Sequence, residues 1–208
     1  MLSAYKYRIY PNSEQEMRLK RSLLSLCNLY NMLRARKIQE HGQRGIALTK
    51  TGLRSIALEE RRKGPGLRSM YSQVVQNVAD RLHNAFANYL EGRGRFPKNK
   101  QPRKYLSLTY PQSGFKLQDG KLSLSRVGSV RIFLHRAMHG TIQRLTIKHE
   151  GGEWYAVFVA ERQAPKKRPI NRIPNERIRG VDVGLTRFTT LDNAESIEYP
   201  QFLRQSEV

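Results

Sequence analysis

The spacing of apolar residues along this chain changes from helical intervals to strict alternation near Tyr105. Before that point, three stretches repeat apolar side chains every three or four residues, which predicts amphipathic helices. From Tyr105 to Glu161 apolar and polar side chains alternate, which predicts strands with one buried face. Because helices and strands occupy separate parts of the chain, the pattern predicts an α+β fold.

The three helical stretches are bounded by residues that favour helix ends. Ser13 and Glu16 have the spacing of a capping box, and we expect the helix that they begin to run to about Gln39. A second, weaker pattern lies within residues 53–60 and a clearer one within residues 74–89, each followed by glycine.

A strand precedes the helices. Residues 4–10 alternate in the manner of a strand, and tight turns at Gln118-Asp119-Gly120 and Glu150-Gly151-Gly152 join later strands into antiparallel hairpins. We expect these strands to close into a small barrel that the first strand completes. The helices are then an insertion between its first and second strands.

A linker and a second group of strands follow. Residues 164–177 carry three prolines and a basic run that includes Lys166, Lys167 and Arg168, which is typical of a linker. Three short alternating stretches between residues 178 and 199 predict an antiparallel meander.

The charge of the chain predicts a polyanionic partner. Lysine and arginine number 38 against 17 acidic residues, a formal net charge of +21. A merely solvated surface is the alternative, but so large an excess opposes compaction unless counter-charge binds. No apolar run is long enough to span a bilayer and the first ten residues lack a signal-peptide core, so we infer a cytoplasmic or nucleoid-associated protein.

A basic segment between Glu91 and Asp119 contains no acidic residue. Cations neutralise phosphates and aromatic faces stack on bases, so this composition suits a nucleic-acid groove. A flexible basic loop is the alternative, and we expect Tyr110 and Phe115 to be core residues. The cations are Arg93, Arg95, Lys98, Lys100, Arg103, Lys104 and Lys116, interleaved with Phe96, Tyr105, Tyr110 and Phe115.

Cysteine and histidine give little sign of a metal site. Cys27 is the only cysteine and lies among leucines, which favours a buried thiol and excludes a zinc site built on paired cysteines. His135 and His139 would suit metal ligation if both lay on a helix, but they follow a strand-like run.

A carboxylate ends an apolar strand near the end of the sequence. In Gly180-Val181-Asp182-Val183-Gly184 the flanking glycines allow a ligand or another chain to approach Asp182 closely. Mg²⁺ is one partner that would compensate a buried carboxylate there, and a hydrogen bond to a turn is the equally weighted alternative.

Several motifs, taken in order, resemble the TnpB/OrfB proteins of insertion sequences, and the resemblance covers nearly the whole chain. They are Tyr10-Pro11-Asn12 with Gln15, Ser72-Gln73-Val74-Val75-Gln76 continuing to Ala85 and Phe86, Phe96-Pro97, Tyr110-Pro111-Gln112, Gly128-Ser129-Val130-Arg131-Ile132 with His135-Arg136, Gly152-Glu153-Trp154-Tyr155, and Gly180-Val181-Asp182-Val183-Gly184-Leu185.

The resemblance implies a transposon-encoded, RNA-guided DNA endonuclease, historically called a transposase and related to type V CRISPR effectors. Its fold would be a wedge (OB-like) barrel with strands in residues 1–11 and 105–163, split by a helical recognition lobe in 12–104 with a basic tail. A basic linker over 164–177 and the start of a RuvC/RNase H-like nuclease domain over 178–208 would follow. The implied partners are a guide RNA and target DNA, the cofactor is Mg²⁺, and Asp182 matches the first catalytic carboxylate.

After the first catalytic carboxylate, family members continue to a further Glu, a four-cysteine zinc knuckle and a further Asp. The sequence after Asp182 does not contain these features in the family's arrangement. We therefore expect a chain truncated after the first RuvC motif, without zinc, that does not cut DNA alone, since two-metal cleavage needs several carboxylates. Asp192, Glu195 and Glu198 lie in or after a hairpin turn and are poor substitutes.

Two other interpretations stay open. The chain could be a non-catalytic RNA- or DNA-binding regulator of the element, with full-length TnpB-like protein as a partner. An unrelated ribosome-associated RNA-binding protein fits the charge but not the ordered motifs.

Overall fold

A computed structural model describes residues 1–164, 174, 178–184 and 187–198. The chain divides into two compact units, residues 1–163 and 164–208. The larger unit combines helices with an antiparallel sheet, which confirms the predicted α+β class. No helix in the described part of the chain has the length and apolarity needed to cross a bilayer.

Helices and strands follow the order that the spacing of apolar residues predicts. Strand β1 (Leu2–Tyr10) comes first, and the helices are α1 (Ser13–Arg44), α2 (Lys50–Lys63), α3 (Pro65–Arg68) and α4 (Ser72–Leu90). After a 3₁₀ turn at Pro102–Lys104 come β2 (Ser107–Tyr110), β3 (Phe115–Gln118), β4 (Lys121–Leu124), β5 (Gly128–Phe133), β6 (Thr141–Glu150) and β7 (Glu153–Glu161). The one-turn helix α3 follows the glycine that was predicted to end the second helical stretch.

The ends of α1 differ from the prediction. Its N-cap is Asn12, whose side chain accepts from the Gln15 N–H while Gln15 caps the Asn12 N–H, so the capping box lies one residue before the predicted Ser13 and Glu16. The helix continues past Gln39 to Arg44, and Gly45 ends it with φ of 66°. Gly42 is accommodated inside the helix because a single glycine costs only about 1 kcal/mol there.

Strand β1 lies in the middle of a seven-stranded antiparallel sheet. The strand order is β2-β6-β7-β1-β5-β4-β3. Residues Leu2 to Ile9 pair with β7, and Arg8 to Tyr10 pair with β5. This confirms that the helices are inserted between the first strand and the rest of the sheet.

The sheet curls, because its two edge strands are joined by a short loop. Residues 111–114 connect β2 to β3, and five peptide steps reach at most about 19 Å. A flat sheet of seven strands would be roughly 29 Å wide. Tyr110 and Phe115 accordingly have ring centroids 6.3 Å apart. No ladder joins β2 to β3 in the described residues, so hydrogen bonds do not close the predicted barrel.

The predicted hairpin turns are present. Asp119 and Gly120 join β3 to β4 with φ of 50° and 68°, and Gly151 and Gly152 join β6 to β7 with φ of 59° and 79°. Two successive positive φ values match the right-handed twist of paired strands, which explains glycine in both turns.

Residues of the helices and of the sheet form one apolar core. Tyr7 and Phe158 of the sheet and Leu19 of α1 are fully buried in it. Between α2 and α4, Arg54 donates two hydrogen bonds of 2.7 Å to Asp80.

In the smaller unit, strands β8 (Val181–Asp182), β9 (Arg187–Leu191) and β10 (Ser196–Glu198) form an antiparallel sheet in the order β10-β9-β8, which confirms the predicted meander.

Candidate nucleic-acid interface

The basic segment runs as an extended chain along α1 and is hydrogen-bonded to it. Asn31 accepts from the Lys100 N–H at 2.7 Å and donates to the Lys100 carbonyl at 2.9 Å. Arg34 donates through Nε to the Pro97 carbonyl at 2.6 Å and contacts the Asn99 side chain at 3.1 Å. The stretch from Pro97 to Lys100 is therefore hydrogen-bonded to a helix of 32 residues.

This anchoring leaves the cations of the segment facing solvent. All of Arg93, Arg95, Lys98, Lys100, Arg103 and Lys104 are exposed. Arg93 pairs with Glu91, and no other acidic residue of the described chain forms an ion pair with the six. Because the backbone from Pro97 to Lys100 is hydrogen-bonded to α1, Lys98 and Lys100 present their charges without first ordering that stretch. Lys116, on β3, is also exposed.

The aromatic residues of the segment point mostly inward. Tyr110 is 2% exposed and Phe115 packs against the core, as predicted. Tyr105, at 6% exposed, is also a core residue, because α1 and α4 cover it. Phe96 is 42% exposed and packs edge-on against Phe86 and Tyr89. Phe96 is the exposed member of the four aromatic residues in this segment, so it alone can offer a face to a base.

Cys27 is a buried core thiol, as predicted. Its Sγ lies 3.4 Å from the Lys100 carbonyl, and burial raises the pKa of the thiol. A protonated, buried thiol is a poor nucleophile.

His135 and His139 follow β5 in a stretch without helix, so their spacing does not place them side by side. The His135 ring packs 5.3 Å from Tyr7, and the backbone of His139 contacts the Tyr5 hydroxyl. Within the described ranges, no cluster of three His, Cys, Asp or Glu residues could hold a metal ion.

Asp182 lies at the end of β8 and pairs with Thr190 of β9. It is exposed, so the cost of burial that would favour a cation partner does not arise in this structure. The nearby Asp192 carboxylate already accepts from the Gly180 N–H at 3.1 Å and lies 3.5 Å from Arg179. Lys166, Lys167 and Arg168, also predicted to bind nucleic acid, lie outside the described residues.

Sequence reasoning missed the residues of α1 that anchor the basic segment. Cys27, Asn31 and Arg34 recur at intervals of four and three residues, so they form one face of the helix. Asn31 and Arg34 are polar side chains beside an otherwise apolar stripe, which is the signal that could have identified them.

Comparison with known proteins gives one family model, described as a helix-turn-helix domain of OrfB, that matches residues 1–45. In this structure those residues form strand β1 and the single continuous helix α1, with no second helix. The matched segment therefore carries the first strand of the sheet and the helix to which the basic segment is bound.

Two curated proteins, both bearing the name "Putative RNA-guided DNA endonuclease", match nearly all of this chain. The one called InsQ, from Escherichia coli (strain K12), is 24% identical over 201 residues, which are 95% of this chain and 49% of InsQ. The one from Streptomyces pristinaespiralis is 28% identical over 214 residues, which are 97% of this chain and 51% of the relative. The chain thus spans about half the length of these relatives. Together with the ordered motifs, these matches show that the chain is similar to the TnpB/OrfB proteins of insertion sequences.

Proposed function

We propose that this chain is the nucleic-acid-binding N-terminal part of a TnpB-like RNA-guided DNA endonuclease, and that it binds a guide RNA and target DNA through their phosphates. The observation that carries this proposal is the group of six exposed cations, whose middle stretch from Pro97 to Lys100 is hydrogen-bonded to α1. The names of the two relatives support RNA and DNA as the two polyanions.

Counterion release and a backbone that is already ordered both favour binding of a polyanion. Each lysine or arginine that meets a phosphate releases condensed cations, which makes binding favourable and dependent on salt. Because Asn31 and Arg34 hold the segment in place, binding need not order the backbone from Pro97 to Lys100. Few aromatic faces are exposed beside the cations, so we expect recognition of backbone and shape with little base stacking.

We also propose a structural role for each unit. The curled sheet would be the wedge (OB-like) barrel of the family, and β8 to β10 would be the first strands of a RuvC-like domain. The curl imposed by residues 111–114 and the antiparallel meander support these assignments.

The residues described do not fit a complete magnesium centre. Two-metal cleavage needs several carboxylates that hold the ions and orient a water molecule. Asp182 is exposed, and the described chain offers no cluster of three ligands around it or elsewhere. We therefore assign Asp182 only as a candidate first carboxylate and derive no cleavage step from it.

A second candidate function rests on the same observation. A chain that presents cations but no set of metal ligands in its described residues could regulate the element by occupying the RNA or DNA without cutting it. Full-length TnpB-like protein would then compete for the same nucleic acid.

The proposal is tested by fluorescence anisotropy with labelled structured RNA and duplex DNA across a series of salt concentrations. We expect tight binding at low salt and a linear fall of log affinity with log salt. Absence of binding, or affinity that does not change with salt, would contradict the proposal. If an added full-length TnpB-like protein displaces this chain from the labelled nucleic acid, the regulatory function is favoured.

A further inference from the structure

The larger unit contains a basic cavity that the proposed interface does not include. Its volume is about 410 Å³, and it lies where α1, the turn between α3 and α4, and the turn between β4 and β5 meet. Arg18, Arg21 and Arg126 all line it. None of the described residues that line the cavity is acidic.

The cavity and the basic segment occupy opposite sides of α1. Ser22 and Ser25 line the cavity, whereas Cys27, Asn31 and Arg34 contact the basic segment. At about 100° per residue, these two sets point roughly 180° apart around the helix axis. The cavity is therefore a separate site.

Two of the three guanidinium groups are free to meet a ligand. Arg18 is engaged by Glu14 at 2.5 Å, one turn earlier on the helix. The exposed side chains of Arg21 and Arg126 have no ion pair or hydrogen bond within the described part of the chain. Arginine presents several donors in a planar fork, which matches the oxygens of a phosphate.

The backbone at Arg126 is unusual. It has φ of 72°, a conformation that favours glycine or asparagine. Its turn is fixed on both sides, because the Ser125 N–H donates to the Gly114 carbonyl at 2.7 Å and the Val127 N–H donates to the Leu124 carbonyl at 3.1 Å. An arginine at such a rigid position is aimed by the turn, as expected for a binding residue.

Neutral donors complete the cavity. The Ser25 and Ser125 hydroxyls line it and make no hydrogen bond to described residues. Tyr71 and Tyr110 form the aromatic side of the cavity. The two rings stack on each other and Gly114 packs against the Tyr71 ring, so neither tyrosine offers an open face to a base. The cavity thus offers charge and hydroxyl donors but no open stacking face.

We propose that this cavity binds a phosphate group, with Arg21 and Arg126 as the ion-pairing residues and Ser25 and Ser125 as donors. The inference rests on the proposed function in one respect, which is that a bound nucleic-acid strand is the expected source of the phosphate. A free phosphate or pyrophosphate has the same chemistry and is distinguished by the test.

The test compares two double variants of the whole chain. Arg21→Gln with Arg126→Gln removes both cavity guanidiniums, and Arg36→Gln with Arg62→Gln removes the same charge at exposed positions outside the cavity. We expect the cavity variant to lower the slope of log RNA affinity against log salt by about 1 to 2, and the control to change it less.

A second readout uses inorganic pyrophosphate and thermal unfolding. We expect pyrophosphate to raise the melting temperature of the parent and of the control but not that of the cavity variant. Pyrophosphate could stabilise the parent while both variants have the same slope of log RNA affinity against log salt. That result would support an anion site in the cavity and identify a free anion as its ligand.

The inference is overturned if both variants have the same salt slope for RNA binding and pyrophosphate does not raise the melting temperature of the parent. If the parent still binds RNA in a salt-dependent manner in that case, the proposed function is retained. Failure of the parent to bind RNA or DNA, with pyrophosphate still stabilising it, would instead overturn the proposed function and retain the cavity.

Discussion

Asn31 of α1 holds the backbone of Lys100 by both of its polar groups, accepting from the Lys100 N–H at 2.7 Å and donating to its carbonyl at 2.9 Å. A residue in the first helix thereby fixes the middle of a segment that lies 69 residues later in the chain. The side chain of Lys100 is left free to extend over the Tyr30 ring, 5.6 Å from its centroid, and towards solvent.

Replacing Asn31 with alanine should release the segment without changing any charge. We expect weaker RNA binding with an unaltered salt slope, because the same cations reach phosphates after an added cost of ordering the backbone. Amide hydrogen exchange at Lys100 should become faster. Asn28→Ala, at an exposed position of the same helix, is the control. Unchanged exchange at Lys100 would show that Asn31 does not anchor the segment.

Neutralising Lys98, Lys100, Arg103 and Lys104 together should flatten the salt dependence of RNA binding. Each lost phosphate contact reduces the slope by about 0.7 to 0.9, so four lost contacts lower it by up to roughly 3 to 4. The matched control neutralises Arg36, Arg62, Lys121 and Arg144, which are also exposed. Equal slopes for the two variants would remove the segment from the interface.

Tyr7→Ala should destabilise the larger unit by about 3–5 kcal/mol, since a fully buried aromatic ring is lost from the central strand. Tyr10→Ala, at the exposed end of the same strand, should cost much less. Deleting residues 1–10 should abolish cooperative unfolding, because β5 and β7 would both become open edges. Thermal denaturation followed by circular dichroism measures all three. A deletion variant that melts like the parent would contradict the sheet order.

Alkaline pH should destabilise the larger unit through its buried tyrosines. Burial raises the pKa of Tyr7, Tyr30, Tyr105 and Tyr110, so each stays protonated in the folded state after it would ionise in the unfolded chain. The stability that this difference provides is fully present below about pH 10 and is lost as the pH rises through the folded-state pKa values. Melting temperatures and tyrosinate absorbance between pH 8 and 11 test this. Tyr110→Phe should reduce the loss, whereas Tyr89→Phe, at an exposed residue, should not.

Asp182→Ala should leave nucleic-acid affinity unchanged or slightly higher, because it removes an exposed negative charge and no donor. We expect Mg²⁺-dependent cleavage of DNA from neither the parent nor this variant, since one carboxylate cannot fix two ions and a water molecule. Guide-dependent cleavage by the 208-residue chain that disappears in Asp182→Ala would refute this expectation. Such activity would require carboxylates from a second chain.

The spacing of apolar residues was sufficient to predict the helices and strands because both periods are local properties of the chain. It also placed Tyr110 and Cys27 in the core correctly. The start of α1 was misplaced by one residue, since Asn12 and Ser13 are both good caps and only the backbone decides between them.

The candidate site was harder to predict because exposure depends on distant neighbours. Tyr105 and Phe96 both lie among cations in the sequence, yet Tyr105 is covered by helices while Phe96 reaches the surface. The cavity could not be found from spacing either. It combines Arg21 with Arg126, which more than a hundred residues separate, and only the packing of α1 against the β4–β5 turn brings them together.

The central position of β1 has a consequence for synthesis on the ribosome. Met1, directly before β1, contacts Arg162, and the partners of β1 in β7 are made almost last among the residues of the larger unit. At about 5–20 residues per second, the nascent β1 waits on the order of 10 s for those partners. The helices, whose backbone hydrogen bonds are local, can form during that interval. We expect the α-helical insertion to fold first and the emerging sheet to assemble around the waiting N-terminal strand.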